Sequence, residues 1–274
     1  MVTAVWGWTF VLVKDALTQY PTLPFLQLRF VLALLVMIVL VRHLPTRREL
    51  LVGAAVGAVL AGSYLAQTVG LTMTSPANSG LITGLFIVFT PLIDRLLGVP
   101  LRPRTVVAVG VALAGTILLA GGWSGFGWGE LLTLICAVLV ALQIVLLSRW
   151  APGLRPAPLA MVQMAACALI FSAGGSWSLS LPNGHVWVAI VITGVFASAL
   201  AFYIQTWAQQ HLSASRAALV LATEPGWAVV AAVVLAGQRF DLLQAAGAVL
   251  VLGAIVGHEL ATLESEVHGQ PAAP

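Results

Sequence analysis

Long apolar runs alternate with short polar breaks along this chain, and the runs are of similar length. Ten can be marked out, at about 2–19, 24–41, 49–71, 77–97, 104–121, 129–149, 157–175, 186–208, 214–236 and 241–260. Most approach the roughly 20 residues that an α-helix needs to cross the hydrocarbon of a bilayer. The breaks carry helix-stopping residues: Pro21 and Pro24, Pro45, Ser75-Pro76, Pro100 and Pro103, Gly121 to Gly129, Pro152 to Pro158, and Leu181-Pro182-Asn183-Gly184. The pattern predicts an all-α membrane protein of ten transmembrane helices. The polar residues 261–274 are expected to form a disordered cytoplasmic tail.

Composition agrees. The chain is 60% hydrophobic and 8% charged, with a mean hydropathy of +1.04. A soluble domain carries about 25% charged residues, so most of this surface needs lipid as its solvent. At about 27 residues per span and turn, 274 residues leave no room for an extramembrane domain. Cys136 and Cys167 sit inside apolar runs and read as small core residues, not as a disulfide. The N-terminus lacks the basic region of a cleavable signal peptide, and its apolar run leads into Lys14-Asp15. Its abrupt start leaves room for a few further residues of the first helix.

Charge placement supplies topology. Arg42, Arg47 and Arg48 lie between segments 2 and 3, and Arg95, Arg102 and Arg104 between 4 and 5. Arg149 and Arg155 lie between 6 and 7, and Arg216 opens segment 9. With ten spans all nine fall on one side, leaving Lys14, Arg29 and Arg239 on or near the other. The excess of arginine marks the cytoplasmic side and places both termini there. No basic cluster interleaved with aromatics exists, so no nucleic-acid partner is expected.

The two halves repeat. The stretch Tyr64 to Pro91 has the plan of Leu200 to Trp227. Gln67-Thr68 stands 138 residues before Gln205-Thr206, as do Ser75 before Ser213 and Leu81 before Leu219. Pro91 and Pro225 are 134 apart, as are Pro24 and Pro158, and Gly110 and Gly247 are 137 apart. Five helices per copy is an odd number, so the second copy must enter the membrane inverted. The expected division is one repeat over 1–121 and another over 129–260. Inverted repeats are a recurring build of secondary transporters, with the substrate site near the midplane between halves.

Several stretches are similar to a known family. Trp6-Gly7-Trp8-Thr9-Phe10 followed by Lys14 resembles the opening of EamA-type permeases of the drug/metabolite transporter (DMT) superfamily. Arg29-Phe30 looks like that family's second-helix pair. Thr74-Ser75-Pro76-Ala77-Asn78 through Thr90-Pro91, and Leu212 through Glu224-Pro225, are similar to its fourth- and ninth-helix signatures. The resemblance covers essentially the whole chain. It implies a ten-helix inverted repeat that moves small metabolites, often amino acids, outward, or takes up sugars and other solutes. One position departs: the family often has Gly-Glu after the ninth helix, and here stands Gly237-Gln238. No role of that carboxylate carries over.

Among candidate functional residues, Glu224 is the sharpest. An ionised carboxylate deep in a bilayer costs about 2.5–3.5 kcal/mol or more, and such groups usually face a cavity or a partner. Glu224 lies about 12 Å along a helix from Arg216, which is near mid-membrane. It reads as a proton or substrate site, or as a structural acid paired with Lys14 or Arg29. Pro225 would leave a carbonyl of the preceding turn without its donor, so Pro225 and Pro91 are candidate helix breaks. Lys14 either faces a cavity or snorkels to the outer interface, and Arg29, close to Pro24, is placed with the snorkelling residues. Tyr64, Gln67 and Thr68 share one helix face, and Tyr203, Gln205 and Thr206 lie at the corresponding place. These polar groups suit a substrate's polar head or serve as glue between membrane helices. Asn78 in the fourth-helix signature and Trp227 beside Glu224 complete the candidates; Trp6 and Trp8 could join Trp227 in an aromatic pocket.

Other chemistry is not expected. His258-Glu259 lacks a second zinc-spaced His, so no metal site is read there. No Walker motif, diphosphate motif or Ser/His/Asp set exists, and no cofactor and no enzymatic activity are expected. The sequence reading is therefore an inner-membrane secondary transporter of small metabolites, more an exporter than an importer. Its expected partners are a small-molecule substrate, the lipid bilayer and protons as coupling ion, in a monomer or homodimer. The alternatives are a sugar or nucleotide-sugar carrier of the same superfamily, or a lipid flippase or polytopic membrane enzyme.

Overall fold

The computed structural model describes residues 2–98, 103–122, 125–174, 181–211 and 221–267. Among them every regular element is a helix and none is a strand. The helices are α1 (Val2–Leu17), α2 (Thr22–Leu40), α3 (Arg47–Met73), α4 (Pro76–Leu96), α5 (Pro103–Leu119), α6 (Trp128–Trp150), α7 (Pro156–Gly174), α8 (Gly184–His211), α9 (Glu224–Ala236) and α10 (Leu242–Val267). Six of these, α2, α3, α4, α6, α7 and α8, are long and apolar enough to cross a membrane. Pro103–Leu119, Glu224–Ala236 and Leu242–His258 are apolar but shorter. Residues 212–220, where the ninth apolar segment was expected to begin, lie outside the described residues, and so does the second half of the 261–274 tail. The helix α10 runs to Val267, past the expected end near 260.

Local chemistry explains the helix ends. Thr46 and Glu49 form a reciprocal capping box at the start of α3. Ser75 accepts from Asn78 N at the start of α4 (3.2 Å), and Asn183 accepts from Val186 N at the start of α8 (2.9 Å). Gly237 ends α9 with φ +61°, a left-handed geometry that suits glycine.

Side-chain bonds sort the connections onto two ends of the bundle. At one end the Arg155 guanidinium donates to Glu49 (2.7 Å) and to the Leu44 carbonyl, and Arg149 donates to Asp94 (3.0 Å). These contacts gather the α2–α3, α4–α5 and α6–α7 connections. At the other end Lys14 Nζ donates to the carbonyls of Leu71, Thr72 and Thr74, at 2.7–3.1 Å. There Thr74 also donates to Glu130, Gln238 bonds Ser75 and Ala77, and Asn183 bonds Gln19. These contacts gather the α1–α2, α3–α4, α5–α6, α7–α8 and α9–α10 connections.

Apolar side chains fill the inside and also coat the outside. Phe30, Met37, Leu60, Met164 and Phe171 form one buried cluster between α2, α3 and α7, and Leu81, Ile87, Ile144, Val251 and Ile255 form another between α4, α6 and α10. Yet Ile38, Val107, Leu169, Val234 and Val249 face outward. Apolar groups on both surfaces are what lipid solvation demands, and the chain is a multi-pass membrane protein.

Helices α1, α4 and α9 meet around Ala228. A methyl at Gly7 would come within 2.6 Å of Trp227 Cβ, and one at Gly80 would overlap Ala228 Cβ. Small residues let membrane helices approach this closely. At the same crossing α4 is interrupted. Leu85 N bonds Ile82 O and Ile87 N bonds Gly84 O, a tightened turn between Pro76–Thr83 and Phe86–Leu96.

This corrects one of the two expected breaks. Pro91 lies inside the Phe86–Leu96 helix, and the interruption is upstream of it at Gly84-Leu85. Pro225 stands just past a break: Leu221 is helical, Ala222 and Thr223 form a turn, and α9 opens at Glu224, so the missing N–H of Pro225 falls at the second helical position. A further irregularity had no signal in the sequence. Ile192–Leu200, in the middle of α8, is wound as a π-helix.

Candidate functional site

Where α1, α2, α3, α4, α6, α8 and α9 converge they leave a cavity. Its wall is mixed. Trp6, Phe10, Phe86 and Phe202 supply aromatic surface, and Thr9, Ser63, Gln67, Thr68, Thr83, Gln143 and Gln205 supply neutral polar groups. Arg29 and Glu224 supply one charged group of each sign.

Glu224 arrives through the first turn of α9. It is 6% exposed, and among the described residues nothing bonds or pairs with its carboxylate. The pairing with Lys14 or Arg29 considered from sequence is absent. Lys14 Nζ instead caps the C-terminus of α3, where the last carbonyls lack intrahelical donors.

Arg29 is 3% exposed and does not snorkel, contrary to expectation. Two groups hold it inside. Its Nε donates to Ser198 Oγ (2.9 Å) and its Nη2 to Tyr64 Oη (3.2 Å). The guanidinium also lies 4.5 Å from the Tyr64 ring centroid, a cation–π contact. Ser198 belongs to the π-helical segment of α8, and so does Ala197, whose carbonyl accepts from Trp6 Nε1 (2.8 Å). The wider winding leaves carbonyls free of the ordinary ladder, and that of Ala197 takes the Trp6 indole, while the Ser198 hydroxyl takes Arg29. Trp6, Phe202, Tyr64 and Phe30 touch in sequence, tilted or edge to face, with ring centroids 5.0–6.0 Å apart, so Tyr64 is fixed from both sides.

Of the residues singled out from sequence, Glu224, Arg29, Tyr64, Gln67 and Gln205 line the cavity, and Trp6 does too. Lys14, Asn78, Tyr203 and Trp227 do not. Asn78 packs toward α5, donating to Leu119 O (3.4 Å), because the face of α4 that carries it turns away from the cavity. Trp227 is 41% exposed and its Cβ sits against Gly7 of α1, so its ring stays out of the cavity although three residues separate it from Glu224. Tyr203 packs at the edge of the α2–α3–α7 cluster. Phe86, Cys136 and Thr83 were not anticipated. Nothing in an apolar run distinguishes the side that faces a cavity from the side that faces another helix. Among the described residues no three His, Cys, Asp or Glu gather as a metal would require.

Comparison with known proteins points one way. The profile of the EamA-like transporter family matches residues 1–121 and again residues 127–258. An uncharacterized transporter of Archaeoglobus fulgidus is 30% identical over 260 residues, covering 93% of this chain and 82% of that protein. The uncharacterized inner membrane transporter YedA of Escherichia coli K12 is 26% identical over 263 residues, covering 92% and 85%. A protein known from its crystal structure shares the fold, with a TM-score of 0.70 at 22% identity over 98% of this chain and 96% of that one.

Proposed function

The chain belongs to the EamA-like transporter family, and we propose that it is a secondary transporter that moves a small metabolite, such as an amino acid or a related amphipathic solute, outward across the inner membrane. The observation that carries this reading is the cavity itself. It holds an acid with no described partner and a guanidinium with no acid, among aromatic and amide groups. Charged groups left this way in a membrane protein are tolerated where they meet a substrate or an ion.

The working cycle in this reading is alternating access by two inverted five-helix repeats, α1–α5 and α6–α10, within ten spans and with both termini cytoplasmic. Packing order supports it. Helices of equal rank pair with each other: α2 with α7, α4 with α9 and α5 with α10. The contact of α1 with α9 has its counterpart in α6 with α4, and that of α3 with α7 in α8 with α2. The clustering of Arg149 and Arg155 at one end supports the orientation. Glu224 is the site where a proton or a substrate amine is exchanged as the halves rock.

The test is counterflow in proteoliposomes over a panel of amino acids, sugars and nucleosides, with and without a pH gradient. Counterflow of an amino acid, accelerated by the gradient, is the expected result. Exchange confined to sugars would replace this reading by the carrier of sugars within the same superfamily.

A further inference from the structure

Behind one wall of the cavity runs a chain of buried amides whose direction is set at its far end. Gln163 on α7 is 0% exposed and does not reach the cavity. Its Nε2 donates to the Leu159 carbonyl (3.4 Å) and to Thr206 Oγ1 (3.3 Å). A backbone carbonyl can only accept, so Gln163 must turn its NH2 group toward Leu159. That leaves its Oε1 facing Gln143, which donates to it (3.5 Å). Gln143 therefore presents Oε1 to Gln205, and Gln205 donates in turn (3.4 Å). Each amide fixes the next across α7, α6 and α8.

The chain ends on an oxygen with nothing to accept. Gln205 lines the cavity and is 7% exposed, and its buried Oε1 has no hydrogen-bond partner among the described residues. It cannot flip to offer its NH2 there, because the flip would set two oxygens against each other at Gln143. A buried acceptor left unmet is a standing cost that a ligand donor removes. The same cavity carries the Glu224 carboxylate, a second acceptor, while Arg29 turns two of its five N–H donors to Tyr64 and Ser198.

We propose that Gln205 Oε1 and Glu224 together form a subsite for a protonated primary amine, and that Gln163 is the positioning residue that locks Gln205 as an acceptor. The ammonium brings three donors, enough for both oxygens, and a positive charge for the carboxylate. The amide chain discriminates by polarity: a group that can only accept finds no donor at Gln205. This deepens the transport reading by naming the feature of the solute that the site recognises, and it rests on that reading only for the route the solute takes.

The test separates the two. Purified full-length protein is unfolded thermally in the presence of L-amino acids and of the matched carboxylic acids that lack the amino group. Ligand that binds the native state raises the midpoint by mass action. Stabilisation by amino acids, with at least tenfold weaker effect from the deaminated acids, is expected. Gln205→Met should reduce that preference about tenfold. Gln163→Met should reduce it too, although residue 163 touches no solute, because Gln143 and Gln205 are then free to turn. The ratio of the two ligand effects is read within each protein, so a loss of stability in a variant does not imitate it. Equal stabilisation by both ligand sets, none by any amine, or an unchanged ratio in both variants overturns the proposal. Amine binding without counterflow of the same amine would leave the subsite standing and defeat the transport reading instead.

Discussion

The ring of Pro225 fills the space that a side chain on Gly84 would need: a methyl there would overlap Pro225 Cγ. The contact joins the interruption of α4 to the first turn of α9, one residue from Glu224. The position of the cavity carboxylate therefore depends on a glycine on another helix.

Gly84→Ala and Gly80→Ala should each force α4 and α9 apart. Overpacking costs about 1–3 kcal/mol, and neither the Ala228 Cβ nor the Pro225 ring has a free rotamer by which to move away. Thermal unfolding in detergent should show a clear loss of stability for both variants. Gly98→Ala tests a different cause, since φ there is +95° but nothing lies near, and it should leave the α4–α9 contact and the cavity untouched.

Glu224→Gln keeps the shape of the side chain and removes its titration. Expression and folding should be largely preserved, because no described residue depends on Glu224 as a partner. Counterflow should persist in part, and its response to a pH gradient should vanish. A variant that transports at the wild-type rate with unchanged pH dependence would make Glu224 structural and send the search for coupling to Lys14 or Asp15.

Arg29→Lys should be far from conservative. One ammonium cannot hold Ser198 and Tyr64 in a fixed fork while also keeping its charge over the Tyr64 ring. Counterflow should fall at least tenfold. Tyr64→Phe removes a single hydrogen bond and keeps the ring, for a loss of about 0.5–1.5 kcal/mol in stability and a milder loss of transport. Comparing the two rates shows whether the guanidinium's placement or the aromatic wall matters more.

Topology is checked by reporter fusions. A fusion after Leu212 should report the cytoplasm, and fusions within residues 176–185 the outside. The reverse at either place removes the inverted repeat from the reading.

Much of this protein was legible along the chain. Apolar runs of near-constant length, cut by proline and glycine, define helices whose observed ends fall within about three residues of the breaks wherever both are described, save at the end of α10, because backbone satisfaction in lipid leaves helices as the only way to bury such runs. Glu224 and Arg29 stood out for a related reason: a charge within an apolar run is costly enough to be conspicuous. The 138-residue spacing of Gln67 and Gln205 brought out two amides that do reach one cavity.

Tertiary structure decided the rest. In a membrane helix the lipid, core and cavity faces are all apolar, so the hydrophobic period that marks the buried side of a soluble helix is nearly flat. Sequence therefore could not separate Trp227, which faces outward, from Trp6, which faces the cavity, or Asn78 from Gln67. It gave no sign of the π-winding of Ile192–Leu200, whose Ser198 and Ala197 meet partners 169 and 191 residues away in Arg29 and Trp6. Nor could it fix the direction of the Gln163–Gln143–Gln205 chain. Two amide–amide contacts have no polarity until one of the three glutamines meets a group that can only accept; the Leu159 carbonyl, one turn back on α7, orients Gln163, and only the packing of α6, α7 and α8 passes that orientation on.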